Sequence, residues 1–567
     1  MSPRTRPAFV VLWREFFSQF FQSEWVTSDI QLRQTIIWGV AFLITPGFFL
    51  VIKVLPVYRF SLAVDPAAAT QVLTLLGSIF VTYAMVTIGF IAVFVWDALT
   101  FDKRDAMVLG PMPVSGPAIV GAKLAALAAF LVGAALATNV MTAFPFALAA
   151  AEPPGPIAFL RYFGVTLGVL VCSATFAFTT IVTIRGLVAL LAGARFAATV
   201  GSLMQFLFVA GLLCFVVLSH AEEPAILNAG AAPHLPPAWF LGLFTHGLGL
   251  PNPAAGALAG RAVIALSLTV SGAVLLTIAT FRKQMQLALT PAASIGPIGG
   301  ARLSRLIARW IARHDPIASA VSEFILLTIA RNRQQQGPIV MSAAVGVAVV
   351  AAALSSRADG LASLMRPRTV VLWIPLVLVY WAVVGLRASF FVPSELPGSW
   401  SLRANGPEQS VSYWSAVRAS IVGFVLPPTI VVVACLVPLI GWQVAAWHAL
   451  FVAAMVVLLA EVVSLTIDYV PFTQPYEPGH AKLKSRWPLY LFGMYATAAW
   501  PVRAELRAIG DPMAMVKLLV IIAVAIVVVE IAGRRRAREW TVQPIDETFG
   551  ERPLLTSLNI GSVEHRA

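Results

Sequence analysis

The stretch VLTLLGSIFVTYAMVTIGFIAVFVW (72–96) carries 25 consecutive residues without a charge or a proline. A helix rises about 1.5 Å per residue, so this run is long enough to cross the ~30 Å hydrocarbon core of a bilayer. Outward from it, comparable apolar runs lie at 36–52, 124–148, 162–184, 198–218 and 262–281. After a polar stretch they resume at 339–354, 370–385, 419–440, 444–465, 489–500 and 514–531, the eleventh being short and ending at Pro501. About twelve transmembrane helices are therefore expected in an all-α, polytopic membrane protein.

Composition argues the same way. The 567 residues are 59% hydrophobic and only 11% charged, with a mean hydropathy of +0.85, where soluble domains have about 45–50% apolar and about 25% charged residues. This balance excludes a disordered chain, a secreted disulfide scaffold and a cytosolic enzyme. Cys172, Cys214 and Cys435 lie inside apolar runs with no metal-ligand spacing and read as small hydrophobes. The opening MSPRTRPAFVVLWREFFSQF (1–20) is interrupted by Arg14 and Glu15 and reads as something other than a removable signal.

The net charge of +13 has a membrane explanation, because Lys and Arg accumulate in cytoplasmic loops. With an internal N-terminus, 29 of the 39 basic residues fall on the inner side. Both termini are thus expected in the cytoplasm, and no nucleic-acid partner is implied.

The twelve runs divide six and six about the basic segment 282–337. The expected organisation is an interfacial N-terminal helix (1–35), a first six-span half (36–281), a linker with basic amphipathic helices (282–337), a second half (338–532) and a cytoplasmic tail (533–567). Starts of equivalent runs are offset by 303, 298 and 295 residues, as internal duplication would produce. GAKLAALAAFL (121–131) then lies opposite SAVRASIVGFV (415–425), which sets Lys123 and Arg418 at the same threshold. SEWVTSDIQLRQ (23–34) and SEFILLTIARNRQ (322–334) each precede the first span of a half.

Outside the spans, Phe9, Trp13, Phe16, Phe17, Phe20 and Phe21 recur at helical spacing, the pattern of a helix lying in a membrane interface. In the linker, Leu303, Leu306, Ile307, Trp310 and Ile311 alternate with Arg302, Arg305, Arg309 and Arg313. This basic helix suits either the anionic inner surface of the bilayer or the flank of the bundle. On the far side, HLPPAWFLGLFTHGLGLP (234–251) is too apolar to hang in water and reads as a re-entrant or interfacial cap.

Signatures of catalysis are missing from the chain: no Gly-Lys dipeptide for a Walker A phosphate cradle, no HExxH helix, no GxSxG elbow. Charges inside the spans are scarce, which disfavours an ion-driven carrier. Glu461, Glu530, Lys517 and Lys53 sit near span ends, where snorkelling to the headgroups accounts for them. His448 reads as a satisfied neutral imidazole.

The segment WDALTFDKRDAMVLGPMPVSGPAIVGAKLAALAAF (96–130) resembles the corresponding segment of bacterial ATP-binding-cassette export permeases of the type-2 class. GLRASFFVPSELPGSWSLRANGPE (385–408) and DYVPFTQPYEPGHAKLKSRW (468–487) resemble stretches of large permeases in that group. The resemblance implies a membrane subunit that binds no cofactor itself and is driven by a separate cytoplasmic ATPase, two copies of which use the ATP, in a bacterial inner membrane. It places an ATPase-coupling surface at Asp102, Lys103, Arg104 and Asp105, with Glu395 and Arg403 as the second-half counterpart. It places an external element at Pro236, Pro237, Trp239, Phe240 and Phe244. The rival readings are an ion-coupled secondary carrier and a membrane-embedded enzyme for lipid-linked substrates, the latter using Asp468, Glu477 and His480.

Overall fold

The computed structural model describes residues 8–20, 58–60, 65–96, 98–99, 103–153, 155–191, 194–221, 235–289, 299–355, 368–394, 409–473 and 487–538, with isolated positions between them. Every regular element among these residues is helical. The first half comprises α1 (Ala8–Gln19), α2 (Pro66–Phe94), α3 (Lys103–Leu109), α4 (Gly116–Ala150), α5 (Pro156–Leu191), α6 (Ala194–Ala221), α7 (Pro236–Leu248) and α8 (Ala255–Leu289). Two linker helices follow, α9 (Gly299–Ile311) and α10 (Pro316–Arg331). The remainder is α11 (Arg333–Ser355), α12 (Arg368–Phe390), α13 (Ser410–Ile440), α14 (Trp442–Ser464), α15 (Trp487–Met494), a π-helical turn (Tyr495–Ala499), α16 (Trp500–Ala508) and α17 (Pro512–Arg538).

Local chemistry sets several of these boundaries. Helices α2, α5, α7, α10 and α17 begin on proline, whose fixed φ suits the first turn and whose missing N–H would have no intrahelical partner there. Asp315 caps α10, its Oδ1 accepting from Ile317 N and Ala318 N at 3.0 Å each, which satisfies two of the orphan donors of a helix start. The eleventh expected run forms α15 and the π turn, and the helical backbone continues past Pro501 into α16.

Among the described residues nine helices are long and apolar enough to cross a membrane, within α2, α4, α5, α8, α11, α12, α13, α14 and α17. Helix α6 contributes a shorter apolar stretch, Val200–Cys214. The first expected run, 36–52, lies outside the described residues apart from its last position.

Consecutive long helices alternate in direction, and side-chain contacts gather their alternate ends at one end of the bundle. Phe101 meets Phe281 edge-on, with centroids 5.0 Å apart. Lys283 Nζ donates to Leu190 O. Ser202 Oγ of α6 donates to Gln336 Oε1 of α11, joining the two halves. Gln335 Nε2 donates to Pro393 O at 3.2 Å, and Phe390 packs on Phe472. We refer to this as the clasp end.

Apolar side chains fill the space between helices in three clusters, two in the first half and a larger one in the second. Helix α11 packs along both α6 and α12, so the halves share an interface. Its approach to α12 is close: a Cβ on Gly385 would lie 2.9 Å from Ile339 Cα and 3.0 Å from Pro338 O. Backbone atoms cannot yield as a flexible side chain does, so Gly385→Ala is expected to push α11 outward at a cost of about 1–3 kcal/mol. The check is the thermal unfolding midpoint in detergent, and an unchanged midpoint would show that the two backbones do not meet this closely.

Candidate functional site

Helix α4 begins beside an unusual group for a membrane helix, a lysine with no solvent exposure. Lys123 is 0% exposed. Its Nζ donates to Gln19 Oε1 at 3.0 Å, and Gln19 Nε2 donates to Asp105 Oδ1 at 2.7 Å. The rings of Phe16 and Phe101 lie 4.7 and 5.7 Å from the ammonium and offer it their π faces. The relay joins three elements: the last residue of α1, the first turn of α3, and α4.

Aromatic packing holds α1 in this position. Phe16 is 1% exposed and meets Phe101 edge-on, while Phe20 stacks on Phe130 of α4 with centroids 4.4 Å apart. The aromatic stripe legible in the sequence therefore covers α4, leaving Phe9, Val10 and Val11 exposed at the start of the helix. Phe21 lies outside the described residues.

The sequence-derived coupling residues separate into distinct places. Asp105 is buried and bonded to Gln19 instead of being presented at the surface. Lys103 and Arg104 open α3. Asp102, Glu395 and Arg403 lie outside the described residues. What this loop does expose is apolar: Met107 and Val108 on α3, then Gly110, Pro111, Met112 and Pro113 in the turn into α4.

A half-buried cation occupies the same end in the other half. Arg418 near the start of α13 donates from Nη1 to Glu461 Oε1 of α14 at 2.8 Å and lies 3.0 Å from Glu530 Oε1 of α17. Its guanidinium sits 5.3 Å from the Trp414 ring centroid, and Arg534 donates to Glu530 at 2.7 Å. Glu461 is 1% exposed. This corrects the snorkelling expectation for Glu461, since the carboxylate turns inward because a cation awaits it there.

Helices α9 and α10 both pack against α13. Ala308 of α9 and Ala312 just beyond it are buried, whereas Leu303, Leu306 and Trp310 remain exposed beside Arg302, Arg309 and Arg313. Arg305 Nη1 donates to Glu323 Oε1 at 3.1 Å, and Arg309 donates to the other carboxylate oxygen, tying α9 to α10. The linker helix thus has one face on the bundle and a second, apolar and basic, facing outward.

At the opposite end, Pro236 and Pro237 open α7 and Trp239 lies edge-on to Phe176. Phe240 and Phe244 are 0% exposed, and α7 packs on α2, α5 and α8. Gly77 of α2 makes room for this contact, because a Cβ there would lie 2.5 Å from Phe244 Cδ1. The apolar external segment is thus a docked cap. Of the residues named for membrane-embedded catalysis, Asp468 is half-exposed and accepts from Arg536, and the other two lie outside the described residues.

Sequence reading missed two participants. Gln19 gave no signal, since its partners are 86 and 104 positions away. Glu505 gave none either, yet its Oε1 lies 2.7 Å from His448 Nδ1 with both residues fully buried. His448 is expected to be a satisfied imidazole, but only its Nδ1 has a partner; its Nε2 is buried without a hydrogen bond.

Comparison with protein-family models, with curated proteins and with solved structures returns no match. The class defined by composition and fold is an all-α, multi-pass membrane protein.

Two predictions follow from the geometry of the clasp end. Lys123→Met leaves buried polar groups on Gln19 and Asp105 without their cation, a change that costs about 3–5 kcal/mol in comparable pairs. It is expected to release α1, read as loss of amide protection over 8–19, and full retention would dissociate the relay from the seating of α1. For Glu323, the hydrogen bond from Arg309 and then that from Arg305 hold the carboxyl below its ordinary value of about 4.3. A depressed value in the folded state means the tie contributes fully above the ordinary range and is lost as pH falls through the lowered one. Protection factors of α9 amides are expected to hold at mildly acidic pH and fall only in stronger acid, and Glu323→Gln is expected to remove that step.

Proposed function

We propose that this chain is the membrane subunit of an ATP-driven exporter, and that separate cytoplasmic ATPase subunits dock against α3 and the turn behind it. The observation carrying this reading is the clasp. A short helix between the second and third expected spans is bonded through Gln19 to a buried lysine on a long helix, and its tip is exposed and apolar. Force applied at α3 would reach α4 through a relay with few soft joints.

Further features support the reading. Helix α1 lies beside α3, where the resemblance places an interfacial helix assisting the coupling element. Helix α7 lies between the fifth and sixth expected runs, where it places an external helix. The second half has a short helix, α16, in the corresponding position before its last span. Under this reading the docking contact is made mainly by Met107, Val108 and Met112. Asp105 acts within the subunit. The chain binds no nucleotide itself, and the termini and the clasp end face the cytoplasm of a bacterial cell.

The direct test is Met107→Asp in the chain reconstituted with its ATPase. A charge at the centre of an apolar contact typically costs 2 kcal/mol or more, so substrate-stimulated ATP hydrolysis is expected to fall at least about tenfold. Amide protection of α1 should be unaltered, since Met107 points away from the relay. Unchanged stimulation would remove α3 from the coupling surface.

A further inference from the structure

His448 and Glu505 stand apart from everything used above. His448 lies in the first third of α14 and Glu505 in the middle of α16, at the end of the bundle remote from Lys123 and Arg418. Both side chains are 0% exposed, with Nδ1 and Oε1 separated by 2.7 Å. The atoms on the far side of each group, His448 Nε2 and Glu505 Oε2, are buried without a hydrogen-bond partner. Two titratable groups have therefore been removed from water together, and each has only the other.

The surrounding charges do not resolve this. Helix α14 packs against α12, α13 and α17, and α16 against α12, α17 and the π turn. At this end of those elements, Arg503 and Arg507 of α16, Lys517 of α17, Cys435 of α13 and Tyr495 of the π turn are exposed. Tyr380 of α12 donates to Tyr490 O at 2.7 Å. Arg418, Glu461 and Glu530 belong to the network at the clasp end. Among the described residues none of these makes an ion pair or hydrogen bond with His448 or Glu505.

Charge accounting then selects the occupant. A neutral imidazole beside a carboxylate leaves one uncompensated negative charge in a low-dielectric interior, which is costly. One added proton makes the pair net neutral, whether as imidazolium and carboxylate or as imidazole and carboxylic acid. A second proton recreates a net charge of the opposite sign. The pair is built for one proton.

We propose that His448 and Glu505 form a buried binding site for a single exchangeable proton, which joins α16 to α14. With both groups sealed from solvent, the proton can come from water and return to it only when α16 lifts from α14. Helix α16 is nine residues long and is bounded by the π turn and by Gly510, whose φ is +107°. A short helix between two such joints is suited to that movement. The site stands whether or not an ATPase drives the chain.

The test is an infrared pH titration of the full chain in vesicles of zwitterionic lipid, from about pH 5 to about pH 10, which spans the ordinary histidine range. The expected result is a carboxyl band that changes with pH, is lost in Glu505→Gln and persists in Glu323→Gln. In His448→Gln its midpoint should move by at least about one pH unit, a tenfold change in proton affinity. A titration identical in the parent chain and in Glu505→Gln would overturn the proposal. Should either variant fail to assemble, the same question is put to a chain with intact His448 and Glu505. Its other six histidines are replaced and the remaining one carries 15N. Ring-nitrogen resonances that respond to bulk pH support the site, and resonances constant across the range overturn it.

Discussion

A cation withdrawn from water among membrane helices needs partners inside the protein, and at one end of this bundle Lys123 and Arg418 show two ways of supplying them. Lys123 bonds to Gln19 and, through it, reaches Asp105; Arg418 pairs with Glu461 and Glu530. Breaking such a group from its partners costs more than forming it gains, so each cation acts as a constraint on which elements must be present together. Lys123 keeps its partners only when α1 is seated on α4 and Gln19 reaches Asp105 of α3, which itself packs on α8. Arg418 meets both of its carboxylate partners only where α13, α14 and α17 converge. The rest of the clasp end is built on these two conditions.

The two solutions differ in a way that bears on function. In the first half the ligands come from a peripheral helix and a loop helix, elements that face outward and can receive force. In the second half they come from long spans, which makes that corner a fixed joint within the bundle. The peripheral helices α9 and α10 still lie against α13, as α1 lies against α4, but they are tied to each other through Glu323 and not to Arg418. Among the described residues, the first half thus joins peripheral helices to a span through Lys123, and the second joins three spans to one another through Arg418.

Much of the fold was legible because it rests on local patterns. Run length and the absence of charge identify long helices without reference to neighbours, the aromatic stripe of α1 follows from helical spacing, and the cap at α7 follows from the apolar character of its segment. The offset between halves sets Lys123 opposite Arg418, and in the structure each lies near the start of a long helix, in α4 and α13. Pair chemistry was not legible. Glu461 looks like any carboxylate near a span end, and only the approach of Arg418 from another helix shows that it points inward. Asp105 looks like a surface charge in a charged loop, but Gln19 turns it inward. Glu505 follows a Pro-containing break that reads as the end of a span, and nothing in the chain before or after it names His448. The residues that determine burial here are distant in sequence, and periodicity carries no information about them.

The central claim is that this bundle takes its energy from a cytoplasmic ATPase through α3. The most direct measurement is site-specific photocrosslinking from position 107 in native membranes, with the adduct identified by mass spectrometry. The account predicts a dominant adduct to a protein bearing a Walker A phosphate loop, whose yield changes when ATP is supplied. Adducts to lipid alone, from a chain that still moves its cargo against a gradient, would contradict it.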